Sequence, residues 1–112
     1  FIENYVFPHG ELPQIGTLLI AMQDSGLEAL DVENLRRHYA RTCALWAENF
    51  ENHGARISTL VEEKRYRIWR VHLAGCAHAF EQNWCTIQQV IAVKSSNPAR
   101  NPLPLTRAYM YR

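Results

Sequence analysis

His38-Tyr39-Ala40-Arg41-Thr42, running on through Trp46 to Phe50, is the stretch that decides how this chain is read. Leu35, Tyr39, Thr42/Cys43, Trp46 and Phe50 return every three or four residues, which puts them on one side of a helix. Tyr39 stands out among them. A tyrosine on an amphipathic helix is most often a core residue whose hydroxyl bonds a backbone group. The alternative is a phenol facing a substrate cleft, neutral at pH 7 because its reference pKa is about 10. There it can donate a hydrogen bond to an anion, or its ring face can stabilise a cation.

The surroundings of this stretch predict a helix-rich chain with two strands. Asp31 suits the N-cap of a helix running from about Val32 to Asn52, and Glu33 and Arg37 stand four apart in the favourable order. His53-Gly54 is a natural stop. Upstream, Leu27-Glu28-Ala29-Leu30 alternates as a short strand. Before it, Pro13 suits the first turn of a shorter helix carrying Ile15, Leu18, Leu19 and Met22, closed by Ser25-Gly26. Downstream, Thr59-Leu60-Val61-Glu62 has capping-box spacing for a second long helix to about Gln82. Tyr66, Trp69, Leu73, Cys76 and Phe80 form its apolar stripe, and the small Ala74, Gly75, Ala77 and Ala79 allow another element to approach closely. Thr86 to Val93 is β-branched and apolar and reads as a strand. After Lys94 the character changes, and Pro98, Pro102 and Pro104 mark residues 95–112 as an extended or disordered tail.

Composition sets the outer bounds. The 112 residues suggest one domain at most, and the net charge of +1 gives no global push toward nucleic acid. Cys43, Cys76 and Cys85 are odd in number and form no C-x-x-C, so neither a disulfide framework nor a zinc module is signalled. Reduced thiols fit a cytoplasmic protein. No apolar run approaches the ~18 residues of a membrane span. The start at Phe1 suggests a trimmed chain.

Other candidate chemistry is thin. His72 and Cys76 are four apart and could share a metal, but no third or fourth ligand stands nearby, so packing is the expected role and no metal site is expected. Lys64, Arg65, Arg67 and Arg70 form a basic cluster, read as a solvated face offset by Glu62 and Glu63 or as a surface attracted to anionic phospholipid. The glycines are isolated, with no phosphate or dinucleotide loop.

Four segments together carry a family resemblance. Tyr5-Val6-Phe7-Pro8-His9-Gly10-Glu11-Leu12-Pro13 resembles the Y-I-F-P-G-G-x-L-P segment of cyclopropane-fatty-acyl-phospholipid synthases and mycolic acid cyclopropane synthases. His38-Tyr39-Ala40-Arg41-Thr42, with Trp46 and Phe50, is similar to the family's H-Y-x-x-T-L-x-x-W-x-x-x-F stretch. Ile68 to Cys76, followed by Phe80, resembles its M-W-x-x-Y-L-x-x-C-x-x-x-F helix, and Gln89-Val90-Ile91 with Lys94 its closing strand. Departures include His9 for a glycine, Cys43 for a leucine, His72 for a tyrosine and Asn83 for a glycine.

The resemblance implies a fold class: the helix-rich C-terminal portion of an α/β, Rossmann-like methyltransferase. In it, residues 1–94 supply two long helices, a shorter one and two strands at the edge of a larger sheet. The implied parent methylenates or methylates the double bond of unsaturated fatty acyl chains in phospholipids, using S-adenosylmethionine. The double bond attacks the sulfonium methyl group, a carbocation forms, and a bound bicarbonate accepts the proton lost as the ring closes. The resemblance gives Tyr39 a catalytic role as one of the groups holding that bicarbonate, and makes Phe7 and Leu12 part of the acyl-channel wall. It assigns no cofactor-binding residue to this chain, so none of the 112 residues is expected to bind S-adenosylmethionine and methyl transfer is expected to be absent from them alone. Exposed strand edges and apolar helix faces favour homo-oligomers. Cytoplasmic localisation with peripheral membrane contact is expected, without nucleic acid. The competing expectation is a non-catalytic helical module that binds acyl chains or a partner protein.

Overall fold

The computed structural model describes residues 2–94 and 103–111. In order these form α1 (Ile2–Tyr5), α2 (Ile15–Asp24), β1 (Leu27–Asn34), α3 (Arg36–Asn52), α4 (Gly54–Ile57), α5 (Glu63–Glu81) and β2 (Gln88–Lys94), then a 3-10 turn over Arg107–Tyr111. Of the tail expected to be extended or disordered, 95–102 and 112 lie outside the described residues. Residues 107–111 are instead wound into the 3-10 turn, and the Arg107 guanidinium grips both carboxylate oxygens of Asp31.

The two long helices pack antiparallel. Arg36 opens α3 and donates from Nη1 to the Phe80 carbonyl at the end of α5, 2.8 Å away, where free carbonyls and the helix dipole both favour a cation. At the other end Phe50 stacks on Tyr66 with ring centroids 5.1 Å apart, and Arg70 pairs with Glu51. Gly54 sits where the chain leaves α3, and a Cβ there would lie 2.6 Å from the Tyr66 hydroxyl. Gly75 does not play the close-approach part expected of it, since open space surrounds it.

The strands pair antiparallel from Leu27↔Lys94 to Asn34↔Gln88, with a bulge between Ala29 and Asp31. This corrects the expected start of α3. Asp31 is not an N-cap, and Glu33 cannot form a helix pair with Arg37, because both lie within β1. β2 supplies backbone partners that carry β1 on to Asn34, whose Oδ1 then accepts from the Arg36 amide at 2.9 Å. The start of α5 is also later than expected. Thr59 bonds back to the Arg56 carbonyl through its hydroxyl, and Glu62 precedes the first turn instead. Likewise Pro13 lies ahead of α2 rather than inside its first turn. The expected stops hold: α2 ends at Ser25 with Gly26 at φ 77°, and α3 ends at His53.

Little of this structure is closed. Cys43, 4% exposed, is the one buried residue among those described. The accessible surface is 9242 Å², against roughly 6,300 Å² for a folded monomer of this mass. The radius of gyration is 18.8 Å, against about 13 Å for a compact chain of this length. Trp46, a member of the α3 stripe, is 52% exposed.

Candidate active-site face

Tyr39 lies in the first turn of α3, its amide bonded to the Leu35 carbonyl at 2.9 Å. Its ring rests on Phe80 of α5, with centroids 5.6 Å apart and planes inclined at 49°. Its hydroxyl meets no hydrogen-bond partner among the described residues. One turn on, Cys43 occupies the α3–α5 contact. Burial pushes its thiol pKa up, and nearby Cys85 adds to the rise. Burial raises Cys76 too, with smaller contributions from Cys43 and Cys85, so the three free thiols share one neighbourhood as neutral groups at pH 7.

Phe7 reaches the same helix about two turns away, at His72. Phe7-Pro8-His9-Gly10 is a tight turn closed by Gly10 N–H to the Phe7 carbonyl at 3.1 Å, with His9 at φ 63°. Proline second and a left-handed residue third is the pattern of a type II turn, where glycine is the unstrained choice. The Phe7 ring meets His72 edge-on at 6.0 Å, and Trp69 meets the same imidazole at 5.4 Å. The Cys76 sulfur lies 3.6 Å from the His72 ring nitrogens. No group of three or more metal-ligating side chains occurs among the described residues.

Tyr39 and Phe7 therefore meet α5 at Phe80 and His72, about 12 Å apart along the helix. Leu12 is placed elsewhere. It is 86% exposed and lines an open groove of about 540 Å³ with Ile15, Leu18, Trp84 and Ile87. Trp84 was not legible as a site residue. Its signal was the Asn83-Trp84 pair just past a helix end. In the basic cluster, Arg67 and Arg70 are paired with Glu63 and Glu51, and Lys64 lies 5.8 Å from the Tyr5 ring centroid.

Burial holds the His72 pKa below its usual 6.5. A depressed folded pKa means that stability is present above pH ~6.5 and is lost as pH falls through the folded value. Acid destabilisation between pH 7.5 and 5 should therefore be smaller in His72→Gln than in the wild type. Urea midpoints at the two pH values measure it; equal losses would remove His72 from the account.

The backbone arrangement places the chain in the class of α/β methyltransferases. It superposes on the cyclopropane synthase MmaA2 from Mycobacterium tuberculosis with a TM-score of 0.78 and 28% identity, over 81% of this chain and 32% of that one. For mycolic acid cyclopropane synthase CmaA1 complexed with SAH and CTAB the TM-score is 0.79 at 27% identity, with the same coverage. The sequence profile of the mycolic acid cyclopropane synthetases matches residues 1–90, and the chain belongs to that family. A probable fatty acid methyltransferase of Pseudomonas putida is 50% identical over 112 residues, all of this chain and 28% of that protein. Methoxy mycolic acid synthase MmaA3 of M. tuberculosis is 32% identical over 94 residues, 84% of this chain and 32% of its own length. The chain thus spans about a quarter to a third of the relatives it matches. The relatives make this a family of S-adenosylmethionine-dependent methyltransferases of fatty and mycolic acids. Membership does not favour the competing expectation of a non-catalytic module. No helix among the described residues is long and apolar enough to cross a membrane.

Proposed function

We propose that this chain is the C-terminal part of an S-adenosylmethionine-dependent C-methyltransferase that methylates or methylenates the double bond of unsaturated fatty acyl chains. The observation that carries the reading is Tyr39: its ring is braced by Phe80 and its hydroxyl is left without a partner among the described residues. A core tyrosine would spend that hydroxyl on a backbone group. When bound, S-adenosylmethionine supplies an electrophilic methyl group. The residues present do not build its cradle, since Gly10, Gly16, Gly26, Gly54 and Gly75 stand apart and form no glycine-rich loop. That cradle belongs to the remainder of the parent, and these 112 residues alone are inactive.

The roles of this chain's residues follow from their chemistry. Tyr39 donates a hydrogen bond to a bound anion, with bicarbonate as the proton acceptor, beside a carbon centre that becomes cationic. The rings of Tyr39 and Phe80 offer π faces to that charge. Phe7 and Leu12 line the path of the acyl chain, and apolar walls keep out water that would quench a cation. Binding of CTAB by a structural relative supports an acyl-chain ligand. Lys64 and Arg65 on α5 supply peripheral contact with phospholipid headgroups at the cytoplasmic membrane face.

The test is to incubate the full-length protein with methyl-labelled S-adenosylmethionine and unsaturated phospholipid vesicles. Label should enter the acyl chain at the former double bond. Label confined to headgroups, or transfer to saturated chains at the same rate, would overturn the reading.

A further inference from the structure

We propose that Arg36 is the positioning residue for Tyr39, holding the end of α5 so that Phe80 keeps the phenol in one place, an inference that rests on the role given to Tyr39 above. The first observation is that one residue of α5 is gripped twice. Arg36 donates from Nη1 to the Phe80 carbonyl at 2.8 Å and to the Glu81 carbonyl at 3.3 Å. The Tyr39 ring rests on the Phe80 ring, with centroids 5.6 Å apart. Arg36 and Tyr39 are three apart on α3 and so share a side of it. One turn of α3 thus holds both the backbone and the side chain of the same α5 residue.

The second observation is how the two helix ends are fixed. The start of α3 is tied down by its own bonds. The Arg36 amide reaches the Asn34 side chain at 2.9 Å, and the Leu35 amide reaches the Ile87 carbonyl at 2.9 Å. Leu35 in turn accepts from the Tyr39 amide. At the end of α5, Asn83 takes φ 62° and its amide reaches the Phe80 carbonyl only at 3.4 Å. Carbonyls in a last helical turn lack partners within the helix, and a cation is favoured there. The guanidinium fills that place from the neighbouring helix, and is half-buried in doing so, whereas Arg37 and Arg41 of the same helix are exposed.

The third observation is the Tyr39 hydroxyl itself. It meets no hydrogen-bond partner among the described residues, so no bond at that end steadies the ring. Its direction depends on the ring contact, and therefore on where α5 ends. These contacts lie within the α3–α5 pair of this chain and do not depend on which faces the remainder of the parent covers.

The experiment is a double-mutant cycle in the full-length enzyme, with unsaturated phospholipid vesicles and labelled S-adenosylmethionine. Arg36→Gln should lower kcat by roughly 10–100-fold, the order expected from a small misplacement of a positioned group. KM for the phospholipid and the affinity for S-adenosylhomocysteine should hold. Arg36→Lys keeps a charged donor for the same carbonyls and should recover most of the rate. In a Tyr39→Phe background, Arg36→Gln should cost about twofold or less, because the hydroxyl it positions is gone. Equal fold losses in the two backgrounds would make Arg36 a stabiliser of the fold alone and would overturn the proposal. A wild-type kcat in Arg36→Gln would overturn it too.

A second readout needs no turnover. With meta-fluorotyrosine incorporated, the Tyr39 fluorine resonance is the one missing from Tyr39→Phe, and its shift reports the ring current of Phe80. It should move and broaden in Arg36→Gln and return in Arg36→Lys. An unmoved resonance would overturn the proposal whether or not the enzyme transfers methyl groups. A moved resonance together with a wild-type kcat in Tyr39→Phe would uphold Arg36 as the residue that sets the ring and count against the role given to Tyr39 instead.

Discussion

Tyr39→Phe in the full-length parent should lower kcat by about 10²–10³-fold while leaving the affinity for S-adenosylmethionine unchanged. The size is that of removing one preorganised donor from a charged transition state, about 2.7–4 kcal/mol. The substitution deletes only the hydroxyl. The ring contact with Phe80 at 5.6 Å is kept, and no hydrogen bond among the described residues is lost. Stability should therefore stay within about 0.5 kcal/mol, as for a change that breaks no packing. Single-turnover rates with labelled donor, together with calorimetric binding of S-adenosylhomocysteine, separate the two effects. A kcat within twofold of wild type would return Tyr39 to a purely structural place on α3.

The 112-residue chain by itself should self-associate. Its surface exceeds that of a folded monomer of its mass by about 2,900 Å², an area within the range of obligate interfaces. The excess is apolar where it matters: Leu12, Trp46 and Trp84 are open to solvent, and patches of this kind drive association. β1 and β2 pair only with each other among the described residues, which leaves outer strand edges able to template further pairing. Light scattering should give a mass that is a multiple of 13.0 kDa. The full-length parent, with the same face covered, should bind far less of an apolar dye per mole. A compact monomer at millimolar concentration, with little dye binding, would refute the idea that this face is made to be covered.

Much of this arrangement was legible in the order of residues, and the misses have physical causes. The α3 and α5 stripes, the stop at His53 and the stop at Ser25-Gly26 rest on local periodicity and local backbone chemistry, so a linear reading reaches them. Asp31 failed as a cap because hydrogen bonds from β2, about sixty residues away, decide how far β1 extends. Thr59 failed because the short α4 gives its hydroxyl a nearer acceptor in Arg56. Gly75 looked like a close-approach position on composition, but the helix turns it to open space.

The same division holds for the candidate site. The linear order by itself determined the two long helices, which depend on residue type and spacing and need no partner. It also carried the motifs of the family resemblance, and it was that resemblance that marked Tyr39, Phe7 and Leu12 as residues to watch. Only the tertiary structure decided that Phe80 braces Tyr39, that Phe7 stands against His72, that Leu12 lies in a separate groove, and that Asn83 turns Trp84 onto it. Those facts come from helix-to-helix packing and from a left-handed backbone step at the end of α5, neither of which spacing along the chain encodes.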